Sequence, residues 1–205
     1  MTLSLLLLAA GASRRFGGKP KQLHHWQGQP LICHVTRVAE TVAPGRCLVV
    51  LGAYAQHIQA SVSHLSTAVC EDWASGMGTT LAFGVERLPK DTTAVLVLLA
   101  DQLAITEQDL RHLVQAFEAM GGGRCEPAIA CASYQGVRGV PAIFSHHFFA
   151  QLCRLQGEQG AKFLLQTCDV VCVPMASAAV DIDTPADIEQ FIKTNRETAR
   201  AEANN

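Results

Sequence analysis

Small residues and cations crowd the start of this chain. In LAAGASRRFGGKPKQL, residues 8–23, Gly11 and Ser13 stand among alanines and are followed by Arg14, Arg15, Lys19 and Lys21. Small side chains let backbone N–H groups approach an anion closely, and the basic side chains add mobile positive charge, so this loop suits a phosphate. It is not a P-loop, because G-x-x-x-x-G-K-[ST] is missing, and Ser13 stands where a dinucleotide fingerprint would carry its second glycine. A plain basic surface loop is the competing interpretation. Farther along, Asp101 closes the apolar run 94–100. A carboxylate there can hold a hard cation such as Mg²⁺ beside the phosphate, or it can cap the next turn. The stretch VDIDTPAD adds Asp181, Asp183 and Asp187. Asp187 is expected as a first-turn helix charge and Asp183 as a second metal or metal-water ligand.

Other polar candidates weigh less. Trp73 can stack on a ring or cover core. The pairs His24–His25 and His146–His147 place their side chains in diverging directions, which suits solvated positions better than zinc. Cys168 and Cys172 are expected on one strand face, about 13 Å apart at roughly 3.3 Å per residue, too far for one metal.

These residues need elements to position them. The apolar run 5–10 is too short to cross a bilayer and has no basic residue before it, so it is expected as a strand buried on both faces and not as an export signal. Pro30 begins a helix with Leu31, Val35, Val38 and Val42 at helical spacing, and RCLVVLG is a second buried strand. Ile58, Val62 and Leu65 mark another helix before a strand at 68–70. EDWASGMGTT feeds a helix with Leu81, Val85 and Leu88 on its apolar face. The run 94–100 is the central strand, and Thr106 with Asp109 caps the helix after it. PAIACASY and PAIF flank QGVRG as a hairpin or wide turn. A helix with Phe148, Leu152 and Leu155, the strand DVVCVPM and a helix from Thr184 complete the order. Strands alternating with helices predict a three-layer α/β sandwich, its central sheet mostly parallel, with a small late antiparallel insertion. One domain over 1–193 is expected, with 194–205 a frayed polar tail.

Composition agrees with that architecture. The chain has 205 residues, 49% of them hydrophobic, and a net charge of −2, which offers no general attraction to nucleic acid or to a membrane surface. Its eight cysteines include no C-x-x-C pair, and without an export signal they are expected as reduced thiols in the cytoplasm. A dinucleotide-dependent oxidoreductase would need an acidic ribose ligand after the second strand, where Gly52 and Ala53 stand.

Taken together, LAAGASRRFGGKPKQL, WASGMGTTLAFG, LLADQLAIT, RGVPAIF, GEQGAKFLL and VDIDTPAD, in this order, resemble the signatures of MobA-like nucleotidyltransferases in their molybdenum-cofactor cytidylyltransferase branch. The resemblance extends to about Phe191 and implies a Rossmann-like fold. It also implies that Ala9, Ala10 and Gly11 line the base and ribose, that Ser13 and Arg15 meet the triphosphate, and that Gly78 belongs to the nucleotide site. Asp101 would bind Mg²⁺. Lys21 would stabilise the transferring phosphate, although one extra residue after Arg15 leaves Lys19 open for that role. The implied reaction moves CMP from CTP to the terminal phosphate of molybdopterin, with a molybdenum hydroxylase as a possible client. Sugar- or polyol-phosphate acceptors, or a non-catalytic cofactor carrier, are the alternatives.

Within the resembled family, A-A-G goes with cytidylyl and A-G-G with guanylyl transfer, so the Ala10 methyl is expected to crowd a purine. One methyl contact discriminates by only about 1–3 kcal/mol, roughly 10–200-fold. The kcat/KM ratio of CTP to GTP should therefore favour CTP in the wild type and fall in Ala10→Gly. An unchanged ratio would remove Ala10 from base selection.

Overall fold

The computed structural model describes the backbone of residues 1–203 and side chains through Thr194. Strand β1 (Leu3–Ala9) is followed by the short β2 (His25–Trp26) and β3 (Gln29–Pro30), helix α1 (Leu31–Glu40), β4 (Cys47–Leu51), α2 (Ala55–Gln59) and β5 (Ser66–Val69). Then come α3 (Met77–Val85), β6 (Ala94–Leu99), α4 (Glu107–Ala119), β7 (Ile129–Tyr134) and β8 (Val137–Ser145). Helices α5 (Phe149–Leu152) and α6 (Lys162–Thr167), strand β9 (Val171–Pro174) and α7 (Pro185–Ala203) end the order. The polar tail expected from 194 onward falls, past Thr194, outside the residues whose side chains are described.

Seven strands form one sheet in the order β5-β4-β1-β6-β8-β7-β9, and β2 pairs with β3 as a separate two-stranded ribbon. Strand β1 runs parallel to β4 and β6, and β4 parallel to β5. Only β8 runs against its neighbours, antiparallel to both β6 and β7, while β9 lies parallel to β7. The late antiparallel element expected from the sequence is thus the hairpin β7–β8, built into the main sheet. The ribbon β2–β3 was not foreseen, because two-residue strands have no periodicity to detect.

Alternation along β1 shows why the sheet is covered on both faces. Leu5, Leu7 and Ala9 join α1, α2 and α4 through Ile32, Val35, Ile58, Leu110 and Phe117. Leu6 and Leu8 point the other way, to α3, α5 and α6 through Leu81, Val85, Leu152 and Leu164. A strand with two apolar faces cannot sit at a solvated surface, so β1 lies in the middle of the sheet. A third, smaller cluster of Phe16, Leu31, Leu103, Ile182 and Ile188 anchors the loop after β1 to the segment before α7.

Two expectations change. Cys168 closes α6 instead of entering β9, so it does not share a strand face with Cys172, whose register partner is Cys131 on β7. The helix expected through Phe148, Leu152 and Leu155 shortens to α5, preceded by a 3₁₀ turn at His146–Phe148. No helix among the described residues is long and apolar enough to cross a membrane.

The cap of α4 matches its expectation closely. Asp109 N donates to Thr106 Oγ1 at 3.2 Å, and Thr106 N donates to Asp109 Oδ2 at 2.9 Å. Thr106→Ala should therefore lower stability by about 0.5–2 kcal/mol, as helix caps do, with turnover unchanged. Urea denaturation checks this, and an unaltered midpoint would contradict it.

Candidate functional site

Strands β1 and β6 are parallel and adjacent, so the loops that leave their carboxyl ends share one edge of the sheet. Ala100 N donates to Leu8 O at 3.1 Å and Ala53 N to Ala10 O at 3.0 Å, which continues the ladder into those loops. Between them opens a cleft of about 450 Å³. Its walls include Ala9, Ala10, Gly11, Ser13, Arg15, Lys21, Asp101 and Asp183, which brings most of the sequence-derived set together.

Lys21 ties these walls together. Its ammonium donates to Asp101 Oδ2 at 2.7 Å, to Ile182 O at 3.0 Å and to Asp183 Oδ1 at 3.2 Å. Arg15 pairs with the other oxygen of Asp183 at 2.9 Å. Burial is the largest single influence on Lys21 and works to lower its pKa, but attraction from Asp101 and Asp183 outweighs it, and the net shift is upward. The lysine therefore stays charged, and its contribution to stability is lost only as pH rises through a value above the ordinary lysine range. Asp181, at the solvent edge, is pushed up to about 6, chiefly by desolvation and then by the negative charges of Asp101 and Asp183, with Lys21 opposing.

The loop after β1 is shaped by a residue that the sequence did not single out. Gln22 is only 2% exposed, and its Nε2 donates to Ala9 O at 3.2 Å and Gly11 O at 3.3 Å. Its Oε1 accepts from Ser13 Oγ, which in turn accepts from Lys21 N at 3.1 Å. Ser13 is thus locked in the left-handed region at φ 51°, and the loop is folded back on itself before any ligand arrives. Gln22 escaped notice because its partners lie 11 and 13 residues away, beyond any local pattern.

Two expected site residues stand elsewhere. Lys19 is exposed, and its side chain makes no hydrogen bond or ion pair among the described residues. Gly78 lies outside the lining of the cleft: its N–H donates to Gly157 O at 2.7 Å, and a Cβ there would meet Gln156 O at 2.8 Å. Gly76 is equally constrained, since its φ is 120° and a Cβ would meet the Gly157 carbonyl at 2.5 Å. Glycines at 76 and 78 therefore let the start of α3 dock on the 156–158 loop, and Glu158 of that loop joins the cleft wall. Trp73 also lines the cleft, half-buried, and a Cβ on Gly52 would strike both Trp73 Cβ and the Ala10 methyl. Asp187 holds the backbone instead of a ligand: its Oδ2 accepts from Asp183 N at 2.9 Å and from Thr184 N at 2.6 Å.

The donor set fits a hard divalent cation. Asp101 Oδ1 is buried and accepts no hydrogen bond from any described residue, although it belongs to a charged group that would be costly to leave so. Among the described residues no group of three His, Cys, Asp or Glu side chains could hold a metal by itself. Asp101 and Asp183 supply two carboxylates, the number with which Mg²⁺ is commonly held when substrate phosphates and water complete its shell.

Residues 5–173 match the MobA-like NTP transferase domain family. The bifunctional protein GlmU of Legionella pneumophila is 28% identical over 149 residues, which are 72% of this chain and 32% of that protein. The chain therefore spans about a third of the length of that relative. Nicotine blue oxidoreductase of Paenarthrobacter nicotinovorans is 30% identical over 205 residues, with 92% of this chain and 94% of the relative covered. Among solved structures, Rv0371c of Mycobacterium tuberculosis H37Rv has a TM-score of 0.80 at 24% identity, with 94% of this chain and 99% of that one covered. Its complex with manganese gives 0.76 at 22%. These structural likenesses are likenesses of fold.

The two lysines make opposite predictions. Lys21→Ala should lower the single-turnover rate of the cleft's reaction by about 10²-fold or more, as loss of one charge-stabilising donor does, and Lys19→Ala by little. A larger fall in Lys19→Ala would show that the loop turns its other cation to the substrate.

Proposed function

The chain belongs to the MobA-like NTP transferase family, and we propose that it transfers the CMP group of CTP to the terminal phosphate of molybdopterin, releasing pyrophosphate. The observation that carries this is the meeting of Lys21, Arg15, Asp101 and Asp183 in one cleft at the carboxyl ends of β1 and β6. The resemblance of six ordered motifs to the cytidylyl branch supports the choice of base and acceptor.

An oxygen of the acceptor phosphate attacks the α-phosphorus of the nucleotide. A phosphoanhydride bond forms there as the α–β bridging bond breaks, and the electron pair leaves with pyrophosphate. The acceptor is already an anion, so neither a covalent enzyme intermediate nor a strong base is required. What the protein must supply is position and positive charge for two anions that repel each other. The loop 9–13, held in shape by Gln22, offers its small residues and backbone to the nucleotide. Arg15, 72% exposed in its side chain, can exchange its ion pair with Asp183 for the triphosphate. Lys21 sits deeper and meets the transferring phosphate. Asp101 and Asp183 would hold a divalent cation, Mg²⁺ or Mn²⁺, which offsets charge on the phosphate oxygens and orients them. A molybdenum hydroxylase is the proposed consumer of the product, and the cytoplasm the proposed compartment.

The match to an oxidoreductase over 92% of this chain favours one competing function, electron transfer within the same cleft. Against it, β4 ends at Leu51 and leads into Gly52 and Ala53, with no carboxylate for a dinucleotide ribose. Pyrophosphate release should be followed over four nucleoside triphosphates, with molybdopterin and with a sugar phosphate as acceptors, alongside NADH oxidation. CTP with molybdopterin should be fastest. NADH oxidation without pyrophosphate release from any combination would overturn the assignment.

The carboxylate has its own test. Asp101→Asn keeps the shape of the side chain but not its charge, so turnover should fall by at least about 10²-fold while the melting temperature stays near that of the wild type. Near-normal activity at saturating Mg²⁺ would take Asp101 out of the site.

A further inference from the structure

We infer that Lys21 is a built-in occupant of the cation position between Asp101 and Asp183, so that this protein takes up its metal together with the triphosphate and not ahead of it. The inference rests on the function proposed above and adds an order of binding to it. An ammonium has three N–H donors, and those of Lys21 are all engaged, on Asp101 Oδ2, Ile182 O and Asp183 Oδ1. The second oxygen of Asp183 is held by Arg15. Of the oxygens on these two carboxylates, only Asp101 Oδ1 is uncommitted among the described residues, and it is buried. Lys21 therefore cannot serve a phosphate without releasing the aspartates, and a metal cannot take both aspartates without displacing Lys21.

Bare metal is poorly placed to make that exchange. The Lys21 side chain is 13% exposed and that of Asp101 21%, so an ammonium pushed off its partners would be left partly desolvated and unpaired. With no third His, Cys, Asp or Glu ligand among the described residues, the metal would gain only two carboxylates and water in return. A triphosphate changes both sides of the exchange. It brings oxygen ligands for the metal, and it gives Lys21 and Arg15 new anionic partners inside the same cleft. The free protein meanwhile keeps a partly buried aspartate compensated, which a metal-first site lacking an internal cation would not do.

Binding of Mn²⁺ alone, read from the electron paramagnetic resonance signal of the free ion, tests this without any turnover. Wild type should be compared with Lys21→Met and with Lys21→Gln, each first checked by thermal melt, and then all three with CTP added. The glutamine keeps a donor for Asp101 Oδ2, so it decides the question if the methionine variant is unfolded. Without nucleotide, both folded variants should bind Mn²⁺ at least about tenfold more tightly than wild type, because no ammonium competes for the carboxylates. Wild type should bind Mn²⁺ well only when CTP is present. Equal affinity in all three proteins without nucleotide would overturn the inference and leave the proposed function standing. No Mn²⁺ binding by any of them, even with CTP, would overturn both.

Discussion

The ion pair between Lys21 and the two aspartates is the constraint from which most of this structure can be understood. It joins three segments far apart in sequence: the loop after β1, the end of β6 and the turn before α7. Each segment arrives there by a different physical route. Parallel pairing of β1 with β6 sets the first two side by side. Ile182 N donates to Asp101 O, and the Ile182 side chain is buried with Phe16, Leu31 and Leu103, so the third is fastened by both backbone and packing. Charged groups placed this deep are costly to leave single, and their mutual compensation is what lets a polar centre exist at the edge of so apolar a sheet.

Around that centre, packing does the shaping and polar bonds do the aiming. Gln22 turns the loop 9–13 into a fixed cradle, and Gln102, 1% exposed, donates from Nε2 to Val140 O at 2.8 Å and so ties the end of β6 to β8. Leu103 is 2% exposed and fills the small third cluster behind the site. Val140 packs among the residues of the α3–α6 face of the sheet.

How much of this was legible in the sequence depends on the distance over which the information acts. Continuous apolar runs marked β1 and β6, and a threonine followed three residues later by an acid marked the cap of α4; each is a local signal with a local cause. Asp101 was legible because a carboxylate directly after a buried strand stands where a parallel sheet binds ligands, and Asp183 because it lies in a short stretch with two other aspartates. Lys21 was preferred over Lys19 only through the resembled motif, since two cations two positions apart have the same local chemistry; their difference is that, among the described residues, Lys21 pairs with carboxylates and Lys19 does not. Gln22 and the pairing of Cys131 with Cys172 were missed for the same reason, because both are facts about tertiary neighbours. Gly78 was placed with the nucleotide through its motif, whereas its missing side chain serves the close approach of two backbones.

The central claim is that Lys21 and a divalent cation alternate at one pair of aspartates, and a crystal grown with Mn²⁺ and CTP tests it most directly. The anomalous difference map should place manganese on Asp101 and Asp183, with the Lys21 ammonium withdrawn from both and turned to the nucleotide. Manganese bound away from these aspartates, or Lys21 still bridging them with nucleotide in the cleft, would contradict the account.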